Sequence, residues 1–157
     1  MFEPIQGEAG VVVPDEGYLT KVRNLCTKYN VLMIADEIQT GFGRVGEKFW
    51  GFQLHDVIPD IVTLGKPMGN GHPIGAVVCT KEIDDKFNNG MEFFSSFGGN
   101  PVSCAIAISV LDEVKKNNLQ KNAKVVGNCI KSELKKVSKK FGPKNCSTIQ
   151  PLRARFT

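Results

Sequence analysis

Two stretches, Val31-Leu32-Met33-Ile34-Ala35-Asp36 and Asp60-Ile61-Val62-Thr63-Leu64-Gly65-Lys66, decide the fold of this chain. Each contains a short, largely apolar run, which is the pattern of a strand buried on both faces of a sheet. The first run ends in a carboxylate, Asp36, and the second is followed by an amine, Lys66. Because ligands bind at the carboxyl ends of strands in open α/β sheets, both side chains are predicted to point into one crevice.

The neighbouring sequence predicts a sheet with helical connections. Residues 75–80 form a third apolar strand candidate, and the segment 39–49 is glycine-rich and indicates a loop. A helix is predicted over residues 14–29, with one face made by Leu19, Val22, Cys26 and Tyr29. This order of elements favours a largely parallel sheet and an α/β fold.

Two further helices are predicted in the second half of the chain. Asn100 and Pro101 suit a helix cap and a first helical turn, and residues 101–111 are apolar nearly all round, so we expect this helix to be buried. The next helix is amphipathic and is expected to end near Gly142 and Pro143. Its apolar stripe consists of Leu119, Ala123, Val126, Ile130, Leu134, Val137 and Phe141.

Composition narrows the class of protein. The chain has 157 residues, 41% hydrophobic and 23% charged, which is ordinary for a globular protein inside the cell. Its five cysteines are scattered and have no metal-ligand spacing, so we expect reduced thiols and no metal site. We expect neither a signal peptide nor a membrane span.

Residues 112–157 carry 12 basic and 3 acidic residues, which we interpret as the solvated face of a lysine-rich helix rather than a nucleic-acid surface.

The amine and the carboxylate at the strand ends form a chemically specific pair. Gly65, Gly69 and Gly71 surround Lys66 and would let the backbone approach a ligand closely. A desolvated lysine can act as a nucleophile and a base, although most lysines in turns are simply solvated. A carboxylate such as Asp36 can hold a protonated pyridine nitrogen. An amine and a carboxylate are the minimum that pyridoxal 5'-phosphate chemistry requires of a protein.

Two other features are weaker on their own. Gln39 lies just beyond Asp36 and could donate a hydrogen bond to a phenolic oxygen. The turn at residues 95–101 is rich in hydroxyls and glycines and precedes a helix, which suits phosphate binding but is equally well explained as a capped turn. His55 and His72 are too isolated to indicate a metal site or a catalytic triad.

Four motifs together resemble the class-III aminotransferases. They stand in the family's order, and the resemblance runs from residue 3 to about residue 141. The motifs are Glu3-Pro-Ile-Gln-Gly-Glu8, Ala35-Asp-Glu-Ile-Gln-Thr-Gly-Phe-Gly-Arg44, Pro59-Asp-Ile-Val-Thr-Leu-Gly-Lys66 and Phe97-Gly-Gly-Asn-Pro101.

The resemblance implies a pyridoxal 5'-phosphate enzyme of fold type I, a homodimer with its sites at the subunit interface. Lys66 matches the family's Schiff-base lysine, and Asp36 matches the partner of the pyridine nitrogen. Gln39 matches the residue near the phenolic oxygen. Ser96 stands where the family has a threonine that reaches the neighbouring subunit's cofactor phosphate. Glu8 matches a glutamate that pairs with a substrate-binding arginine in some members.

The resemblance also divides the chain and shows departures from the family. It implies a partial cofactor-binding large domain with a mostly parallel sheet and helices on both faces at residues 1–117. The start of a small C-terminal domain, represented by its first helix, follows at 118–144, and residues 145–157 do not resemble the family. Much of the family's sequence has no counterpart here, so we expect a fragment or a truncated gene model that is inactive alone.

Three functional hypotheses remain open from the sequence. The first is transamination, from an amine or amino acid donor to a 2-oxo acid or glyoxylate. The second is a phospho-lyase acting on ethanolamine phosphate or phosphohydroxylysine, which the stretch Lys66-Pro-Met-Gly-Asn-Gly-His-Pro73 resembles more closely. The third is a non-catalytic fragment. We expect small-molecule substrates, no nucleic acid or membrane partner, and a mitochondrial or cytoplasmic location.

Overall fold

The computed structural model describes residues 1–141 of the chain. Its sheet has three strands in the order β1 (Ile34–Asp36), β2 (Ile61–Leu64) and β3 (Ala76–Cys79). Within residues 1–141, no helix combines the length and the apolar character needed to cross a bilayer. The four α-helices are α1 (Tyr18–Lys28), α2 (Lys81–Phe87), α3 (Pro101–Lys116) and α4 (Leu119–Phe141).

The sheet is mixed. Strands β1 and β2 are parallel, with Asp36 paired to Thr63, whereas β2 and β3 are antiparallel, with Thr63 paired to Val77. Residues 65–75, which join β2 to β3, contain only a single 3-10 turn, Lys66–Met68. A parallel connection needs a crossover of about a dozen residues or more, usually a helix, so this short link returns the chain in the opposite direction. The sequence pattern predicted the strands but not this reversal.

The core cluster joins α1 to residues that precede β1 and β2. Leu19 of α1 packs with Met33 and Val57, and all three are buried. Val22 and Cys26 from the predicted helix face pack against this cluster. Tyr29, which was predicted on the same face, lies beyond the end of α1 and is exposed.

An ion pair fixes α1 to the start of β2. Arg23 Nη1 donates to Asp60 Oδ2 at 2.6 Å, and the backbone N–H of Met33 donates to the same oxygen at 2.6 Å. Burial raises the pKa of Asp60, but the Met33 N–H and the Arg23 guanidinium outweigh it and hold the pKa below its usual value. Asp60 therefore links three consecutive elements of the fold.

The two long helices are where predicted but are less buried than expected. Asn100 caps α3, because its Oδ1 accepts from the N–H groups of Val102 at 3.0 Å and Ser103 at 3.2 Å. The expectation that this helix is buried is wrong for the described residues, since Ala107 is its one buried residue. Helix α3 packs against α4 and the turn at Lys66–Met68. An apolar helix face is buried only where a second surface covers it, and these contacts leave much of α3 in solvent.

The amphipathic helix is confirmed as α4, although its apolar stripe is only partly covered. Ile130 and Val137 remain about half exposed, at 50% and 46%. The predicted helix end at Gly142 and Pro143 lies outside the described residues, as does the tail 145–157. The turn between α3 and α4 coincides with the domain boundary predicted at residue 118, and the division into domains stays a prediction.

Candidate active site

The structure places Asp36 and Lys66 at one edge of the sheet. Asp36 is the last residue of β1, and Lys66 follows Leu64, the last residue of β2, by two positions. Because β1 and β2 are parallel, their carboxyl ends lie at the same edge. The pairing of the two strands therefore places the predicted amine and carboxylate at the same end of the sheet.

The backbone at Lys66 is unusual. Its φ is 30°, in the left-handed region that side-chain-bearing residues rarely adopt. Such conformations cost on the order of 1–3 kcal/mol and cluster at functional sites. Gly65 O accepts from the Met68 N–H at 2.9 Å, and Gly69 O accepts from the His72 N–H at 3.0 Å. These successive turns hold Lys66 in its strained conformation.

Lys66 is more accessible than the sequence predicted. The residue is exposed, and its amine makes no hydrogen bond or ion pair with any of residues 1–141. The expectation of a desolvated lysine is therefore not met in the described part of the chain.

Asp36 is half-buried and fixed at one oxygen. Its Oδ1 accepts from the backbone N–H of Ile38 at 2.9 Å, and no second hydrogen bond to the carboxylate is found within residues 1–141. A carboxylate accepts about four hydrogen bonds, so Asp36 keeps capacity for a cationic ligand. Thr63, its register partner on β2, has a buried Oγ1 without a hydrogen-bond partner in the described residues.

Gln39 contacts Glu8, which the sequence did not predict. Gln39 Nε2 donates to Glu8 Oε1 at 3.1 Å. A Cβ at Gly7 would meet the side-chain oxygen of Gln39, so a larger residue there would displace the Gln39 side chain. Two residues that the resemblance assigned to separate tasks, Glu8 and Gln39, thus meet at the end of β1.

Within residues 1–141, no hydrogen bond joins Ser96 to this end of the sheet. It lies in an exposed turn, where Ser95 rather than Ser96 accepts a hydrogen bond, from the Gly98 N–H at 3.0 Å. The resemblance assigned Ser96 to the neighbouring subunit's cofactor, and that role stays a prediction.

Sequence reasoning missed Glu37. This carboxylate is fully buried and accepts from Thr40 Oγ1 and the Gly51 N–H, both at 2.8 Å, and from the Phe52 N–H at 2.7 Å. Burial raises the pKa of Glu37, and these hydrogen bonds only partly oppose the effect. The alternation of side chains along a strand could have indicated this role. Consecutive strand residues point to opposite faces of the sheet, so Asp36 and Glu37 cannot both face the crevice.

His72 is also less isolated than the sequence suggested. Its Nε2 lies 2.8 Å from Ser103 Oγ, so a side-chain hydrogen bond joins the lysine loop to the first turn of α3. A cavity of about 1010 Å³ opens beside this contact, between α3, α4 and the loops that contain Phe42 and Pro67. Neither Lys66 nor Asp36 lines the cavity, so it is separate from the candidate site.

The residues at the sheet edge fit pyridoxal 5'-phosphate. Lys66 supplies an accessible amine, and Asp36 supplies a carboxylate with unused acceptor capacity. Gln39 supplies an amide within reach of the same edge. The unpaired Thr63 hydroxyl shows that the polar groups of this edge are not fully satisfied within the described chain.

Comparison with known proteins shows which family this chain resembles. The family model "Aminotransferase class-III" matches residues 1–151. Human mitochondrial alanine–glyoxylate aminotransferase 2 is 47% identical over 139 residues, which cover 88% of this chain and 27% of the human protein. This chain therefore spans about a quarter of the length of that relative.

Solved structures share the fold. A phospholyase from Arthrobacter in complex with phosphoethanolamine superposes with a TM-score of 0.84 at 41% identity, covering 88% of this chain and 33% of that one. An ornithine aminotransferase from Toxoplasma gondii, with PLP at partial occupancy in its active site, gives a TM-score of 0.79 at 41% identity, covering 86% of this chain and 32% of that one. The α/β fold described above is thus part of a larger enzyme fold, and the chain belongs to the class-III aminotransferase family.

Proposed function

We propose that this chain is the cofactor-holding part of a pyridoxal 5'-phosphate-dependent aminotransferase. The reaction would move an amino group from an amine or amino acid donor to a 2-oxo acid or glyoxylate. The observation that carries the proposal is the position of Asp36 and Lys66 at the carboxyl ends of two paired parallel strands.

Each polar residue at the sheet edge has a distinct task. When bound, the cofactor supplies an electron sink for the substrate's α- or ω-carbon. Asp36 holds the protonated ring nitrogen through its unused acceptor capacity. Lys66 Nζ would hold the cofactor, and the free amine would accept the proton that leaves the substrate carbon and later donate it. Proton transfer by a positioned group contributes about 10²–10⁴-fold to such a rate.

The remaining residues bind and orient. Gln39 Nε2 has two hydrogens, so it can donate to the ring's phenolic oxygen while it donates to Glu8. Ser96 contacts the cofactor phosphate of the partner subunit in a homodimer. Glu8 accepts from Gln39 at one oxygen and keeps the other for a substrate-binding arginine. We place the protein inside the cell, in mitochondria or the cytoplasm, and we divide it into domains at residues 117 and 144.

A phospho-lyase is the second candidate. Two observations favour it. This chain superposes on the Arthrobacter phospholyase, and residues 66–73 resemble the phospho-lyase branch of the family. Both reactions use Lys66 and Asp36 in the same way. They differ in the group that leaves the substrate.

The lysine assignment is tested by borohydride reduction of the intact protein loaded with pyridoxal 5'-phosphate, followed by peptide mapping. We expect the pyridoxyl group on Lys66 and none after Lys66→Arg, while Lys81→Arg serves as a matched surface control. A label on Lys21, Lys48 or Lys81 instead of Lys66 would contradict the site.

A second assay separates the two reactions. An aminotransferase passes the amino group to an added 2-oxo acid and needs that acid for repeated turnover. A phospho-lyase releases inorganic phosphate from a phosphorylated amine with no oxo acid present. We expect the first result. Steady phosphate release without oxo acid would replace our proposal with the second candidate.

A further inference from the structure

Thr63 has a hydroxyl group that the fold buries but does not use. Its Oγ1 is inaccessible to solvent and has no hydrogen-bond partner within residues 1–141. A buried hydroxyl without a partner loses its hydration and gains nothing in return, so native proteins seldom contain one. Such a group calls for a physical explanation, and its location in the sheet supplies one.

The strand register places Thr63 beside Asp36. The two residues are direct partners across the parallel pair of β1 and β2. Neighbouring strands lie about 4.8 Å apart, and register partners project from the same face of the sheet. On the other side of β2, the partner of Thr63 is Val77, which is apolar and offers no acceptor. Of the two cross-strand partners of Thr63, Asp36 is therefore the polar one.

The carboxylate of Asp36 has room for this donor. The Ile38 N–H occupies Oδ1 and leaves Oδ2 without a protein donor among the described residues. A carboxylate held at one oxygen can still rotate about its terminal bond, whereas two donors fix its plane. A hydroxyl that donates to an ionised carboxylate makes a hydrogen bond roughly twice as strong as a neutral one.

We propose that Thr63 is a positioning residue for Asp36: its hydroxyl, unpaired in the cofactor-free protein, donates to the carboxylate oxygen that Ile38 leaves free once the cofactor is bound. This inference rests on the proposed function, in which Asp36 holds a protonated ring nitrogen. Thr63 fixes the plane of the carboxylate so that a lone pair of Asp36 points toward that nitrogen. Thr63 itself does not touch the substrate.

The test compares variants of the intact protein. Thr63→Val keeps the shape of the side chain and removes the hydroxyl, and Thr63→Ser keeps the hydroxyl. Thr80→Val makes the same chemical change at an exposed position whose side chain makes no cap hydrogen bond. The measurements are the dissociation constant for pyridoxal 5'-phosphate, the pH dependence of the bound cofactor's absorption, and the unfolding midpoint of the cofactor-free protein.

We expect Thr63→Val to weaken cofactor binding about tenfold, the equivalent of one hydrogen bond to a charged group. The pH dependence of the absorption should also change, because the ring nitrogen loses a fixed partner. Thr63→Ser should restore both properties, and Thr80→Val should leave them unchanged. The cofactor-free Thr63→Val protein should be at least as stable as the parent, because it no longer buries an unpaired hydroxyl.

A double-mutant cycle with Asp36→Asn tests whether the hydroxyl acts through the carboxylate. In the Asp36→Asn background, Thr63→Val should change the affinity far less than tenfold. An equal loss in both backgrounds would overturn the inference, as would unchanged affinity and absorption in Thr63→Val. Peptide mapping of Lys66 separates this failure from failure of the proposed function, since only the latter leaves Lys66 unlabelled in the parent protein.

Discussion

Replacement of Glu37 by glutamine should destabilise the fold although it removes a buried charge. Both carboxylate oxygens act as acceptors, Oε2 for Thr40 Oγ1 and the Gly51 N–H, and Oε1 for the Phe52 N–H. A glutamine has one acceptor oxygen. Its best orientation keeps the two bonds of Oε2 and turns its NH₂ group toward the Phe52 N–H.

The magnitude follows from that mismatch. Two donors would face each other in a buried site, and a buried group left unsatisfied costs about 1–3 kcal/mol. Loss of the buried charge offsets part of this cost, so we expect Glu37→Gln to lower the free energy of unfolding by about 1–2 kcal/mol near neutral pH.

The pH dependence gives a second, independent signature. The pKa of Glu37 is raised in the folded state, so the native protein binds this proton more tightly than the unfolded chain does. The stability that this tighter proton binding contributes is fully present below the pKa of Glu37 in the unfolded chain. It is lost as the pH rises through the pKa of Glu37 in the folded protein. The variant lacks this titration, so the difference between it and the parent should shrink as the pH rises above about 4.5.

The assay is denaturant unfolding of the intact protein, followed by circular dichroism between pH 4 and 8. Glu47→Gln is the matched control, because Glu47 lies in the neighbouring loop and is exposed. We expect the control to unfold like the parent. If Glu37→Gln and Glu47→Gln behave alike at every pH, the assignment of a structural role to the buried carboxylate is refuted.

Two further predictions concern stability. Arg23→Ala should lower the free energy of unfolding by about 1–2 kcal/mol in the same assay, because it removes the half-buried partner of Asp60, whereas Lys81→Ala, at an exposed pair, should cost less than 1 kcal/mol. The effect of Arg23→Ala should fade as acid protonates Asp60. Because the pKa of Asp60 is lowered by folding, its stabilising contribution is present above the pKa of the unfolded state and is lost as the pH falls through the pKa of the folded state. An effect of Arg23→Ala that persists in strong acid would contradict this account. Asn100→Ala should cost about 1 kcal/mol through loss of the α3 cap, while Asn100→Asp should retain the cap, and equal losses in the two variants would show that the side-chain oxygen is not the stabilising group.

Local sequence determined the elements that need only local information. The apolar run of β2 was predicted at its observed bounds, and the cap at Asn100 places the start of α3 correctly. Both signals act within a few residues, through burial of a continuous apolar run and through hydrogen bonds to the next two N–H groups. The position of Asp36 and Lys66 at strand ends was also readable, because Asp36 closes the apolar run of β1 and Lys66 lies two residues after β2.

Tertiary structure alone decided the features that depend on contacts between distant residues. The antiparallel return of β3, the contact between Glu8 and Gln39, and the triple hydrogen bonding of Glu37 join segments that no local pattern relates. The exposure of Lys66 and of α3 was decided in the same way, since the burial of a side chain depends on which surface covers it and not on its own chemistry. Sequence pattern specifies which face of an element is apolar, and only the packing of the chain determines whether that face finds a partner.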